Sequence, residues 1–304
     1  MSFISKIKIR SFFYKFKWLF KNIFNNKNFI LINNRIIEAP RFHKLELFQD
    51  LYPTYDKFLY YLVLRLGNYE FIDVGSNIGD TAINLYTSTN PPSKSTLIEP
   101  SKKFRKYLRI NFEKLFPNLI SKIRIISLPI SSSKQIHDLS YNSSTATQAS
   151  NYEKIDAISI DRLLEEENYI KNELLIKIDI DGFDWDAIIS AKDIINQIKP
   201  LLFFECVILN NYQYEGYLSS LDIILNNYQK VLILDNFGVP YFNGSLNRTI
   251  LENIFLKSFL ASKRRDVRYF YFDILLYNKD KVEIVNNALN KVINFAKGTS
   301  TASK

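Results

Sequence analysis

In this 304-residue chain, the residues equipped for chemistry concentrate in a few short stretches. The first, Asp73-Val-Gly75-Ser76-Asn77-Ile-Gly79-Asp80-Thr81, sets two glycines four residues apart among carboxylates. Glycine permits a tight turn and a close approach of backbone to ligand, and a helix starting there offers free N–H groups. Glu99 stands 20 residues after Gly79, about the interval at which nucleoside sites place an acid that accepts both ribose hydroxyls. Further on, Lys177-Ile-Asp179-Ile-Asp181-Gly182-Phe183-Asp184 crowds carboxylates beside a glycine, and Phe204-Glu205 ends an apolar run with a charge. His43 and His137 are the only histidines and Cys206 the only cysteine. No metal site is therefore expected, and no intrachain disulfide can form.

Two ligands could use the glycine turn. A nicotinamide or flavin dinucleotide sits over G-x-G-x-x-G, with no negative charge ahead of the first glycine. Here Asp73 precedes Gly75 by two residues and Asn77 replaces the second glycine. S-adenosylmethionine carries a sulfonium, an ammonium and a ribose, which acids at Asp73 and Glu99 suit. Coulomb attraction at contact is about 4 kcal/mol at an effective dielectric of 20, enough to favour the cationic ligand. A nicotinamide-dependent oxidoreductase is the enzymatic alternative, and a non-catalytic membrane-docking protein the other.

Positioning these groups requires strands that end where they begin. Residues 69–74, 95–98, 122–127, 174–178, 200–207, 231–234 and 269–277 read as short apolar strands. Helical spacing fills 55–66, 79–86, 102–115, 185–198 and 217–227. Such alternation implies an α/β fold with a parallel sheet covered on both faces, and ligands outside the carboxyl ends of its strands. The Ser- and Asn-rich stretch 131–150 reads as an irregular insertion.

The turn Asp73-Val-Gly-Ser-Asn-Ile-Gly-Asp80, the triplet Ile98-Glu99-Pro100, the block Lys177–Asp184 and Phe204-Glu205 resemble the FkbM-type S-adenosylmethionine-dependent methyltransferases. Asp235-Asn-Phe-Gly238 and Tyr271-Phe-Asp-Ile274 look like that family's closing strands, so the resemblance runs from residue 69 to 277. Departures are Ser76 for the usual Ala, and Asp181 and Asp184 for the usual Glu. The resemblance implies a Rossmann-like class I methyltransferase: a seven-stranded, mainly parallel sheet with an antiparallel last strand. By the same token Asp73, Gly75, Asn77 and Gly79 would hold the methionine end of S-adenosylmethionine, with Ser76, Asp80 and Thr81 also among the cofactor-binding residues. Glu99 would hold the ribose, Ser131 and its turn would lie near the adenine, and Asp179 would close the site. Members commonly O-methylate sugars or other small hydroxylated acceptors, so a small-molecule or glycan hydroxyl is the expected partner. A hydroxyl needs a general base. Asp181 is favoured, with Asp179, Glu205 and His137 as the other candidates. Lys263, Arg264, Arg265 and Arg268 could grip an acceptor phosphate or simply face water.

The net charge is +9, of which residues 1–34 carry +7 with no Asp or Glu, leaving +2 for the remainder. That distribution excludes a whole-domain nucleic-acid footprint. Ile9, Phe12, Phe13, Phe16, Phe20 and Ile23 fall on one helical arc beside Lys6, Arg10, Lys17 and Lys21. A helix of that kind docks on its own protein or lies on an anionic membrane. No run reaches the roughly 20 apolar residues of a membrane span. A cytoplasmic protein is expected, with residues 1–34 docked on its own body or on a second subunit, and peripheral contact to the inner membrane surface as the alternative. The expected organisation is a basic amphipathic segment (1–34), a helical lead-in (35–68), a methyltransferase domain (69–278) and a C-terminal helix and tail (279–304).

Overall fold

The computed structural model describes residues 27–137, 139–141, 146–148, 154–166, 173–264 and 271–298, together with residues 15, 16, 18, 19, 21 and 23. Runs of Ile, Leu, Val and Phe form strands β3 (Tyr69–Val74), β4 (Lys94–Ile98), β5 (Ile123–Ile126), β10 (Glu173–Ile178) and β11 (Leu201–Cys206), all mutually parallel. Between them run α3 (Asp80–Tyr86), α4 (Lys102–Leu115), α5 (Ile160–Glu165), α6 (Asp184–Ser190) and α7 (Lys192–Ile198). After β11 come α8 (Asn211–Asn227), β12 (Lys230–Asp235), β13 (Pro240–Ser245), α9 (Arg248–Arg264), β14 (Phe272–Tyr277) and α10 (Val282–Ala296). The sheet order is β13-β12-β14-β11-β10-β3-β4-β5. β14 enters antiparallel between β11 and β12. The expected mainly parallel sheet with an antiparallel last strand is present, but it has eight strands instead of seven. The extra one, β13, folds back on β12 through the turn at Asp235–Gly238, where Gly238 takes a φ of 73°.

Alternation along the central strands sorts their side chains onto two faces. Ile72, Val74, Ile176, Ile178, Leu202 and Phe204 pack one face against α5–α9. Phe71, Leu175, Leu201 and Phe203 pack the other against the elements preceding β3, together with α3, α4 and α10. Chain order reverses between β3 and β10, where β4 and β5 lie to one side and β10 and β11 to the other. The switch point, and so the ligand crevice, lies at the ends of these two strands.

Three further expectations change. A hairpin, β1 (Lys27–Ile32) and β2 (Arg35–Pro40), spans the expected boundary between the basic segment and the helical lead-in, ahead of α1 (Leu45–Leu51) and α2 (Lys57–Val63). Within the stretch 131–150, β6 (Gln135–His137) pairs with β9 (Lys154–Asp156), and β7 (Leu139–Tyr141) pairs with β8 (Ala146–Gln148). The single helix expected over 185–198 is two helices. They break at Ala191, and the carboxylate of Asp161 accepts the freed N–H groups of Asp193 and Ile194, each at 2.9 Å.

Candidate active site

Local geometry explains the turn after β3. Gly75 has a φ of 85° and Gly79 one of 87°, conformations that side chains resist. A Cβ on Gly75 would sit well inside the carbonyl oxygen of Asp179, so only glycine lets the ends of β3 and β10 come together. Gly75 N and Ser76 N both donate to the Ile98 carbonyl, at 3.0 and 2.9 Å, which ties the turn to β4. Ser76 Oγ donates to the Asp73 carbonyl at 2.7 Å.

Glu99 faces the turn from the end of β4. Its Oε2 accepts Asn77 N at 2.8 Å and its Oε1 accepts Ser101 N at 2.7 Å. Each oxygen keeps a further lone pair for a ligand hydroxyl. Asn77, with a φ of 49°, has its side-chain oxygen 3.1 Å from Nε2 of His43. Burial pushes the His43 imidazole down to about 4, although the Asn77 hydrogen bond opposes that shift.

The register of the parallel strands assembles the charges. Lys177 of β10 lies directly across from Asp73 of β3. Its Nζ is 3.4 Å from Asp73 Oδ1 and 3.0 Å from Asp179 Oδ2. Burial works against the lysine's charge, but Asp179 and Asp73 outweigh it and hold its pKa well above the ordinary value. Asp73 is fully buried, and neither of its carboxylate oxygens accepts a hydrogen bond from the described residues. Burial raises its pKa against the opposing field of Lys177. Further along the sheet, Glu205 lies across from Asp273 of β14. Burial first, then neighbouring carboxylates, pushes both well above the usual carboxylate range.

These groups surround a cavity of about 380 Å³ at the strand ends. It is lined by Gly75, Ser76, Asn77, Asp80, Thr81, Glu99, Asp179, Asp181 and Glu205 among the expected residues. Asp73 and Gly79 sit behind the lining. Ser131 does too: its hydroxyl donates to Asp186 Oδ2 at 2.6 Å, and the Ser132 hydroxyl and N–H donate to Oδ1. The adjacent Pro129 and Ile130 do face the cavity. Asp181 has a left-handed φ of 53°. The buried Asp184 fixes the same loop by accepting Gly182 N at 3.3 Å and Glu205 N at 3.2 Å. The side chain of His137 lies outside the described residues, as do Arg265, Arg268 and the side chain of Arg264. The described Lys263 packs its ammonium 5.1 Å from the Phe259 ring centroid.

The sequence reading missed one wall of the cavity. His43, Lys44, Leu45, Phe48, Tyr55 and Asp56 come from the lead-in, and Tyr271 from the start of β14. Their contribution depends on how the chain folds back, which no local pattern announces. In all, seven carboxylates and two lysines line the cavity. The crevice is net acidic even though Lys44 and Lys177 also line it.

These burials set a pH dependence. Burial pushes Glu99 and Asp80 up to about 7 and Asp56 up to about 6, with Asp56 adding to the shift of Asp80. A raised carboxyl favours folding at acid pH, and that contribution is lost as pH rises through the folded value. His43 acts oppositely, costing stability as pH falls from 6.5 toward 4. The ligand-free thermal midpoint should therefore climb by roughly a few degrees on acidification from pH 8 to about 6.5, and climb further below that, with His43 offsetting the gain of one of the three carboxyls. Differential scanning calorimetry would check this, and a midpoint that declines throughout that upper range would contradict it.

Residues 73–229 match the family profile described as Methyltransferase FkbM domain. No curated protein matches by sequence. Among solved structures, the chain is similar to a methyltransferase FkbM from Methylobacillus flagellatus KT, at 18% identity and a TM-score of 0.43. That alignment covers 71% of this chain and 48% of the other, so the chain spans about half the length of that relative. It is also similar to an O-methyltransferase from Bacillus cereus solved with SAH, at 16% identity and a TM-score of 0.43, covering 74% of this chain and 81% of that one. Family membership rests on the profile match, which takes in the glycine turn, Glu99, the 177–184 block and Glu205.

Proposed function

The chain belongs to the FkbM methyltransferase family, and on that premise we propose that it methylates a hydroxyl of a sugar or glycolipid precursor, using S-adenosylmethionine. The observation that carries the cofactor part is the acidic cavity at the β3–β10 switch point, where seven carboxylates outnumber two lysines. The donor set fits the group. Glu99 offers carboxylate lone pairs to a ribose, the turn at Gly75 brings backbone to the cavity wall, and Asp73 keeps buried carboxylate oxygens without hydrogen bonds from the described residues. When bound, S-adenosylmethionine supplies a methyl group on a positively charged sulfur.

The rest of the chemistry falls to the chain. Asp73, Asp80 and Asp56 give the methionine end a negative field, which Lys177 tempers and keeps from being wholly uncompensated. Pro129, Ile130 and Phe183 offer apolar wall to an adenine. The acceptor hydroxyl must lose a proton as its oxygen becomes bonded to carbon, and a carboxylate within hydrogen-bond reach accepts it. Asp179 is already engaged by Lys177 at 3.0 Å. Burial and the neighbouring carboxylates raise Glu205, which disfavours its charged form. Asp181, which lines the cavity on the glycine turn after β10, is the proton acceptor in this reading.

Calorimetry tests the cofactor: S-adenosylhomocysteine should bind and NAD should not. The acceptor is sought by mass spectrometry of glycans and metabolites for a product one CH₂ heavier than its precursor. Asp181→Asn should bind S-adenosylhomocysteine within about twofold of wild type yet lose about 100-fold or more in kcat. Undiminished turnover in that variant would remove Asp181 from the reaction.

A further inference from the structure

We propose that the outer face of the β1–β2 hairpin, with the basic segment before it, is a docking surface for an anionic lipid bilayer. This inference does not depend on the identity of the acceptor. β1 alternates strictly: Asn28, Ile30 and Ile32 point inward and are buried, whereas Phe29 and Leu31 point outward. Ile36, the register partner of Leu31, is exposed beside it. Ahead of the hairpin, Phe16, Leu19 and Ile23 follow one another at helical spacing, and each is described as helical. All six of these large apolar side chains are 46–60% exposed.

The two parts are tied together. Lys21 Nζ donates to the Phe29 carbonyl at 3.2 Å and pairs with Glu46 at 2.8 Å, and Arg41 donates to the Ile23 carbonyl at 2.7 Å. Scattered exposed apolar residues are ordinary on a protein surface, but a contiguous group marks a contact site.

Charge identifies the occupant. Residues 1–34 hold seven Lys and Arg and no acid. Glu46 and Glu38 answer Lys21 and Lys27, while Lys6, Lys8, Arg10, Lys15 and Lys17 have no acid within the segment. A second copy of this chain would bring the same positive charge against it. A nucleic acid would use the cations but not the apolar face. An anionic membrane uses both, with apolar side chains entering the headgroup boundary and cations meeting lipid phosphates. Among the described residues no helix is long and apolar enough to cross a membrane, so the contact is with the bilayer surface. Its position matters for the site. Trp18 Nε1 donates to the His43 carbonyl at 3.1 Å, and the His43 ring reaches Asn77 at 3.1 Å. The docking face therefore adjoins the cavity wall.

The test is flotation of the full-length protein with vesicles of phosphatidylcholine alone or mixed with phosphatidylglycerol. Binding should be about tenfold or more stronger to the anionic vesicles and should weaken at high salt. The triple variant Phe29→Ser, Leu31→Ser, Ile36→Ser should lose about tenfold in vesicle binding with unchanged affinity for S-adenosylhomocysteine. Replacing Lys6, Lys8, Arg10, Lys15 and Lys17 by Gln should abolish the preference for anionic lipid, and it leaves the hairpin untouched should the triple variant misfold. Binding to neither vesicle, or equal binding to both, overturns the proposal. So does a wild-type dimer in sedimentation velocity that becomes monomeric in the triple variant without vesicle binding, because the face would then belong to a second copy.

Discussion

Gly75→Ala is expected to lose about 100-fold or more in affinity for S-adenosylhomocysteine, together with roughly 3 kcal/mol of stability. The backbone there has a φ of 85°, which alone strains any residue with a Cβ. The added methyl would also collide with the Asp179 carbonyl and come within 3.1 Å of Ile180 Cγ2. Relief requires the ends of β3 and β10 to part, and those ends hold Lys177, Asp73 and Asp179 in register. Gly67→Ala is the matched control: its Cβ would meet nothing within 4 Å, and its φ is not left-handed. It should be neutral or stabilise by about 0.5 kcal/mol through the unfolded chain. Isothermal titration and thermal unfolding of both variants would check this. Wild-type affinity in Gly75→Ala would mean that the turn is not the ligand platform.

Lys177→Met carries the second large effect, an expected loss of 3–5 kcal/mol in unfolding free energy, because removing one partner strands a buried charge. Asp73 is fully buried and Lys177 nearly so, while Asp179 is partly exposed and keeps water. Asp73 can answer by taking a proton, since its pKa is already raised. The loss should therefore be smaller at acid pH and grow as pH rises. Asp73→Asn in the Lys177→Met background removes the stranded charge and should recover part of the loss. A double-mutant cycle in urea measures the coupling. Strict additivity of the two substitutions would show that the pair does not act as a unit.

What could be read from the sequence was local. The glycine turn, the acid at the next strand end and the 177–184 block each occupy one strand terminus and its following turn, so spacing alone exposes them. The helix expected over 102–115 matches α4, Lys102–Leu115, because Ser101 caps it by accepting Phe104 N at 3.4 Å and a clear apolar stripe buries Phe104, Leu108 and Phe112. Pairing register was not legible. Lys177 looked like one letter of a motif, and only its place opposite Asp73 makes it the cation that neutralises two carboxylates. The hairpin did carry a signal that went unread: Asn33 and Asn34 take φ of 43° and 63° between alternating strands, and Asn is suited to such turns. The break at Ala191 had no comparable signal, since the cap on the second helix comes from Asp161, more than 30 residues earlier. The cavity's far wall failed for the same reason, because His43, Tyr55 and Asp56 arrive by tertiary contact.

That wall has a practical consequence. The segment matching the family profile begins at Asp73 and ends at Gln229, yet His43, Phe48, Tyr55, Asp56 and Tyr271 all border the ligand space. A fragment trimmed to the profile would cut into β3, lose β12 to β14 and open one flank of the cavity to solvent. Conversely, exchanging residues 43–56 for another sequence offers a way to alter which small molecules enter while the platform stays intact.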